Sequence, residues 1–126
     1  MRLSSILHPQ SDIPDFANHP ITSRAHLLDI PAYLAKHDLS PLDPFSTSKI
    51  PLAVLDGCSK DAGIQFQRGD ILIVHTGFVE AYLQKTREEQ EALVAREVRG
   101  WCGVEASEEV MRWHWENGFA AIATDT

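Results

Sequence analysis

The stretch from Gly69 to Phe78, Gly-Asp-Ile-Leu-Ile-Val-His-Thr-Gly-Phe, constrains this chain more than any other. Gln67-Arg68-Gly69-Asp70 is a turn signal, Ile71 to Val74 is an unbroken apolar run, and Thr76-Gly77 closes it. A short β-branched run between turn residues, flanked by helical patterns, predicts a strand buried on both faces of a parallel sheet. In open α/β sheets ligands sit beyond the carboxyl ends of such strands. His75, Thr76 and Gly77 are therefore the local candidates for a pocket edge.

The elements around this strand follow from local chemistry. Ala25 to Ile30 predicts a second strand, and Pro31 suits the first turn of a helix over about Ala32 to His37. Ser40 to Pro44 reads as loop. Ile50 to Ala62 predicts a helix with Leu52, Leu55, Cys58 and Ala62 on its inner face. Gly63 stands at the left-handed position after it, and Ile64 makes the closing apolar contact. Cys58 reads as a small core residue, since a reactive thiol needs a basic neighbour that the pattern does not supply.

Val79 to Gln84 predicts a helical turn. Thr86 to Glu89 has the form of a capping box opening a helix to about Arg99, with Arg96 and Arg99 complementing its dipole. Ser107 caps a last helix with Val110, Trp113 and His114 inward, Gly118 stops it, and Phe119 to Thr124 predicts a final buried strand. His114 reads as a packed, hydrogen-bonded residue. Strands alternating with helices make the chain α/β.

Residues 1–22 carry Pro9, Pro14 and Pro20 without hydrophobic period and read as an irregular leader, leaving 23–126 as the folded domain. His8 and His19 stand eleven residues apart in that leader, unlike the tight spacing of metal-site histidines on a rigid element. The 126 residues carry a formal net charge of −7, which argues against nucleic acid or an anionic membrane surface as partner. No apolar stretch reaches membrane-span length and the N-terminus stops short of a signal-peptide core, so the cytoplasm is expected. Cys58 and Cys102 match neither a disulfide scaffold nor a zinc spacing.

Several ordered blocks resemble the cyclase family that includes bacterial kynurenine formamidases (arylformamidases) and a large fungal branch. The blocks are Gly69 to Phe78, Gly103 to Trp113, and Asn117 to Asp125. Asp43-Pro44-Phe45 with Ile50-Pro51-Leu52, and Arg24 to Asp29, resemble the fungal branch in particular. The resemblance spans about Ile21 to Thr126. It implies a swivelling β/β/α fold, here incomplete, and in catalytic members hydrolysis of an amide bond with zinc or manganese held by histidines and a carboxylate. The kynurenine formamidases release formate from N-formylkynurenine in tryptophan breakdown, and family members are usually oligomeric.

The family's metal ligands do not carry over. Its His-x-x-x-His-x-Asp motif lies upstream of the Arg24 block, where His8, His19, Asp12 and Asp15 have the wrong spacing. Its second His and Glu lie downstream of the Asp125 block. No matched position is a metal ligand, so no metal is expected for this chain alone. His75 stands where the family commonly has Arg, and His114 where it commonly has an aliphatic residue.

Three functional expectations follow. The first is a truncated, by itself inactive portion of an amide hydrolase. The second is a short paralogue without catalysis that pairs with a longer homologue. The third uses local chemistry alone, with His75, Thr76 and Asp125 gathered at strand ends as a small acid–base site.

Overall fold

The computed structural model describes residues 17–97 and 100–126. Most of the leader reading, including His8, and the assignment of Arg99 to a helix end lie outside these residues. His19 is exposed.

Three strands form a parallel sheet in the order β1-β3-β5: β1 (Ala25–Asp29), β3 (Ile71–His75) and β5 (Ala121–Thr124). The register pairs Leu28 with Val74 and Asp29 with His75, and Val74 with Thr124. The central run is thus the middle strand, one residue longer than expected. A second, two-stranded parallel sheet joins β2 (Lys49–Ile50) to β4 (Gly103–Val104). Neither of these two-residue strands has a period of its own to read.

Helices connect the strands: α1 (Ile30–Lys36), α2 (Leu52–Asp61), α3 (Phe78–Leu83), α4 (Arg87–Val94) and α5 (Glu108–Asn117). Helix α2 starts two residues later than expected, because Ile50 belongs to β2 and Pro51 takes the N-cap. Ser59 rather than Ala62 is buried beside Leu55 and Cys58, its hydroxyl donating to the Asp56 carbonyl at 2.9 Å. Gly63 is left-handed (φ 65°), and Ile64 N–H reaches the Ser59 carbonyl at 2.9 Å, which satisfies the helix's last carbonyls.

At α4, both bonds of the Thr86–Glu89 capping box are present. That helix ends at Val94, and Arg96 instead donates to the Phe45 carbonyl at 2.8 Å. Ser107 accepts from Val110 N–H at the start of α5, and Gly118 ends it at φ 65°.

The core gathers Leu28, Leu72 and Val74 from one sheet face with Ile30, Leu34, Leu55, Cys58 and Val110 from the helices. Burial pushes the Cys58 thiol up from its ordinary value, as befits a core cysteine. His114 packs against Trp113 (ring centroids 5.2 Å apart), but the hydrogen bonding expected of it is not met at Nε2. Nε2 is buried without a partner, and burial pushes the ring's pKa down, opposed in part by the Val110 backbone.

Two expectations of burial are corrected. Strand β3 alternates, with Leu72 and Val74 fully buried and Ile71 and Ile73 half-buried, because helices cover only one sheet face among the described residues. Leu27, the neighbour of Ile73 on the other face, is 56% exposed. Among the described residues strand β5 is an edge strand paired only with β3, and Ile122 is 49% exposed. No helix of the described residues is long and apolar enough to cross a membrane.

Candidate functional site

Parallel pairing aligns the carboxyl ends of all three strands, so residues leaving them stand in one row. Asp29 and His75 are direct partners, and the β3–β5 register carried one residue beyond Thr124 sets Asp125 on the other side of His75. The structure therefore brings together all three residues singled out in the sequence, His75, Thr76 and Asp125. It adds two that were not, Asp29 and Glu80. The signal for Asp29 was available: an Asp directly before Ile-Pro is a helix N-cap with proline in the first turn. Its Oδ1 accepts from Ala32 N–H at 3.1 Å in that role.

The same Oδ1 lies 3.2 Å from His75 Nδ1. A carboxylate only accepts, so this contact fixes the proton on Nδ1 and leaves Nε2 to exchange one. Nε2 lies 3.7 Å from Glu80 Oε2 and 3.8 Å from Asp125 Oδ2, beyond hydrogen-bond reach but close enough for charge attraction when the ring is protonated.

Asp125 does something different from acid–base work. Its Oδ1 accepts from Thr76 N–H at 2.6 Å and from the Thr76 hydroxyl at 2.8 Å. Its Oδ2 accepts from Gly77 N–H at 3.1 Å and Phe78 N–H at 3.0 Å. Burial pushes this carboxyl up, yet the Thr76 backbone and hydroxyl bonds outweigh it and hold the group below the usual carboxylate value. Asp125 thus ties the end of β5 to the first turn of α3. Thr76, 2% exposed, is a buried partner of that carboxylate rather than a free hydroxyl. Gly77 permits the turn: its φ is 81°, and a Cβ there would meet Pro31 at 3.2 Å.

A second carboxylate braces the opposite end of the sheet. Asp70, 3% exposed, accepts from Arg24 Nε (3.1 Å) and Nη2 (2.7 Å) and from Gln67 N–H (2.8 Å), with His26 Nε2 at 3.0 Å. The Arg24 hydrogen bonds, opposed by burial and aided by Gln67, hold its carboxyl at about 2. What read as a turn residue is also the joint between β1 and β3.

Beside the row lies a cleft of about 600 Å³ between α1, the loop after it and α3. Leu34, Leu42, Pro44 and Ala81 give it apolar walls, and Thr76, Gly77 and Glu80 shared with the row form one side.

The metal implied by the family resemblance does not fit the described residues. No group of three or more His, Cys, Asp or Glu stands where it could share an ion among them. Each Asp125 oxygen already accepts two hydrogen bonds, and the Asp29 oxygen facing His75 also caps α1.

Comparison with known proteins shows the family and the fold. The family model described as "Putative cyclase" matches residues 3–126. A solved structure described as that of a novel cyclase superposes with a TM-score of 0.65 at 22% identity, covering 82% of this chain and 31% of that one. This chain is therefore similar in fold to about a third of that cyclase. No curated protein matches the sequence.

Proposed function

This chain belongs to the cyclase family, and on that premise we propose that it is part of a metal-dependent amide hydrolase resembling the arylformamidases of the fungal branch. The reaction would be N-formylkynurenine to kynurenine and formate, within tryptophan breakdown. The swivelling β/β/α fold and the metal ligands would be completed by sequence outside this chain, and residues 23–126 would be its partial domain. The carrying observation is the superposition, in which most of this chain covers only 31% of a solved cyclase. The sheet face bearing Leu27 and the edge at Ile122, both uncovered among the described residues, support it, since they are apolar surfaces that a larger enzyme would cover.

Within such an enzyme each residue of the row has a distinct task. Asp29 orients His75 and fixes its tautomer, leaving Nε2 to pass a proton. Asp125 holds the Thr76–Phe78 turn, and through it the wall that the row shares with the cleft. A zinc or manganese ion, held by ligands outside these residues, would supply an acidified water and polarisation of the amide carbonyl.

By itself this chain is expected to be inactive. Formate release from N-formylkynurenine by the purified 126-residue chain, with zinc or manganese added, should not exceed the uncatalysed rate. Turnover abolished by a chelator would overturn that reading. The exposed Leu27 face also favours a second reading, a short paralogue without catalysis that assembles with a longer homologue. Co-purification of the two from the native source would select it.

A further inference from the structure

The cleft beside the row carries chemistry of its own. Its volume of about 600 Å³ suits a small organic molecule, in the range of roughly 300–1,000 Å³ usual for such sites. Proline and aliphatic side chains from three segments, Pro31 and Leu34, Leu42 and Pro44, and Ala81, give walls that accept a flat apolar body. The charged residues lining it are Asp38 and Glu80, and no Lys, Arg or His joins them among the described residues.

Of the basic side chains on the adjoining elements, His75 stands at the edge of the row with its Nε2 3.7 Å from Glu80 Oε2. Lys36 bonds Asp61 at 2.7 Å, and Lys85 lies over the Phe45 ring at 4.9 Å. Gln84 adds an amide to the lining. Asp38 also occupies a position where a carboxylate is not the default. It follows the C-cap of α1 with φ 52°, and Leu39 N–H bonds the Leu34 carbonyl at 2.9 Å. Glycine usually fills that left-handed place at a helix end, and Asp or Asn can adopt it.

We propose that this cleft binds a small amine, its ammonium group between Asp38 and Glu80 and a flat apolar or aromatic body against the proline and leucine walls. Charge complementarity selects this occupant: an anion meets two carboxylates, and a neutral molecule of the same shape gains only the apolar contact. The inference goes beyond the hydrolase reading and does not rest on it, because a non-reactive amine reports binding without any turnover.

The test titrates the 126-residue chain with phenethylamine, 2-phenylethanol and 3-phenylpropionate, followed by ¹H–¹⁵N NMR. Phenethylamine should bind about tenfold more tightly than the alcohol, as expected for a charge-assisted hydrogen bond against a neutral one. The carboxylate should not bind, and shifts should centre on Leu34, Asp38, Glu80 and Ala81. Asp38→Asn with Glu80→Gln keeps shape and backbone preference while removing the charge. It should bring amine and alcohol to within about threefold of each other. Ala81→Phe, filling the cleft, should abolish both. Equal binding of the three probes, no binding of any, or an amine preference that survives the double substitution would each overturn the proposal.

Discussion

Replacing Asp125 by asparagine changes almost no volume and tests the joint between β5 and α3. The carboxylate accepts four hydrogen bonds, two on each oxygen. An amide has one oxygen and one NH₂. With its oxygen toward Thr76 it keeps the 2.6 and 2.8 Å bonds, but its NH₂ then faces the N–H groups of Gly77 and Phe78, donor against donor. The opposite orientation loses the Thr76 N–H, which is buried where water does not replace the missing acceptor.

Hydrogen bonds to a charged group are worth about 1.5–3 kcal/mol each, and water recovers part of the loss at the half-buried Gly77 and Phe78. The net cost is about 2–3 kcal/mol for Asn, close to that of Ala, because both leave buried donors unpaired. In urea, with a slope of about 2 kcal/mol/M for a domain of this size, the midpoint should fall by about 1 M or more. A midpoint within about 0.3 M of the unsubstituted chain would show that these bonds do not hold the turn.

Other consequences can be checked on the same material. Gly77→Ala forces a side chain into a left-handed conformation against Pro31, and should destabilise by about 1–2 kcal/mol in urea titrations. Asp70 and Asp125 both have folded pKa values below their ordinary value of 3.8, so their stabilisation is present above pH 4 and lost as pH falls. Acid unfolding followed by circular dichroism should therefore set in below pH 4, with the Asp70 contribution fading toward pH 2. Asp70→Asn should flatten that stretch of the curve, and an unchanged acid profile would count against the Arg24–Asp70 joint.

The parts of the molecule that were legible in sequence are those decided within four or five residues. Thr86 with Glu89, Ser107, Gly63 and Gly118 act on their own helix ends, and each stands where local chemistry put it. The β3 strand was legible because an apolar run between turns has few other uses; of the residues expected at the pocket edge, Thr76 and Gly77 line the cleft and His75 does not. Contacts between distant segments left no such trace. Arg24 meets Asp70 across 46 positions, and Asp125 meets Thr76 across 49. The pairing of β2 with β4 rests on two residues a side, too few to show a period. The expected burial of β5 failed because an apolar run says nothing about whether a neighbour covers it. Asp38 was hidden differently: an aspartate in a loop reads as polar surface, and only its positive φ and the cleft beside it distinguish it.

The central claim, that this chain is a portion of a longer cyclase-family hydrolase, is tested most directly by the intact mass of the native polypeptide from its source. We expect a mass at least about twice the 14.1 kDa of these 126 residues, because they cover only 31% of a solved cyclase chain. A native mass of 14.1 kDa would contradict the claim, and the partner reading would take its place.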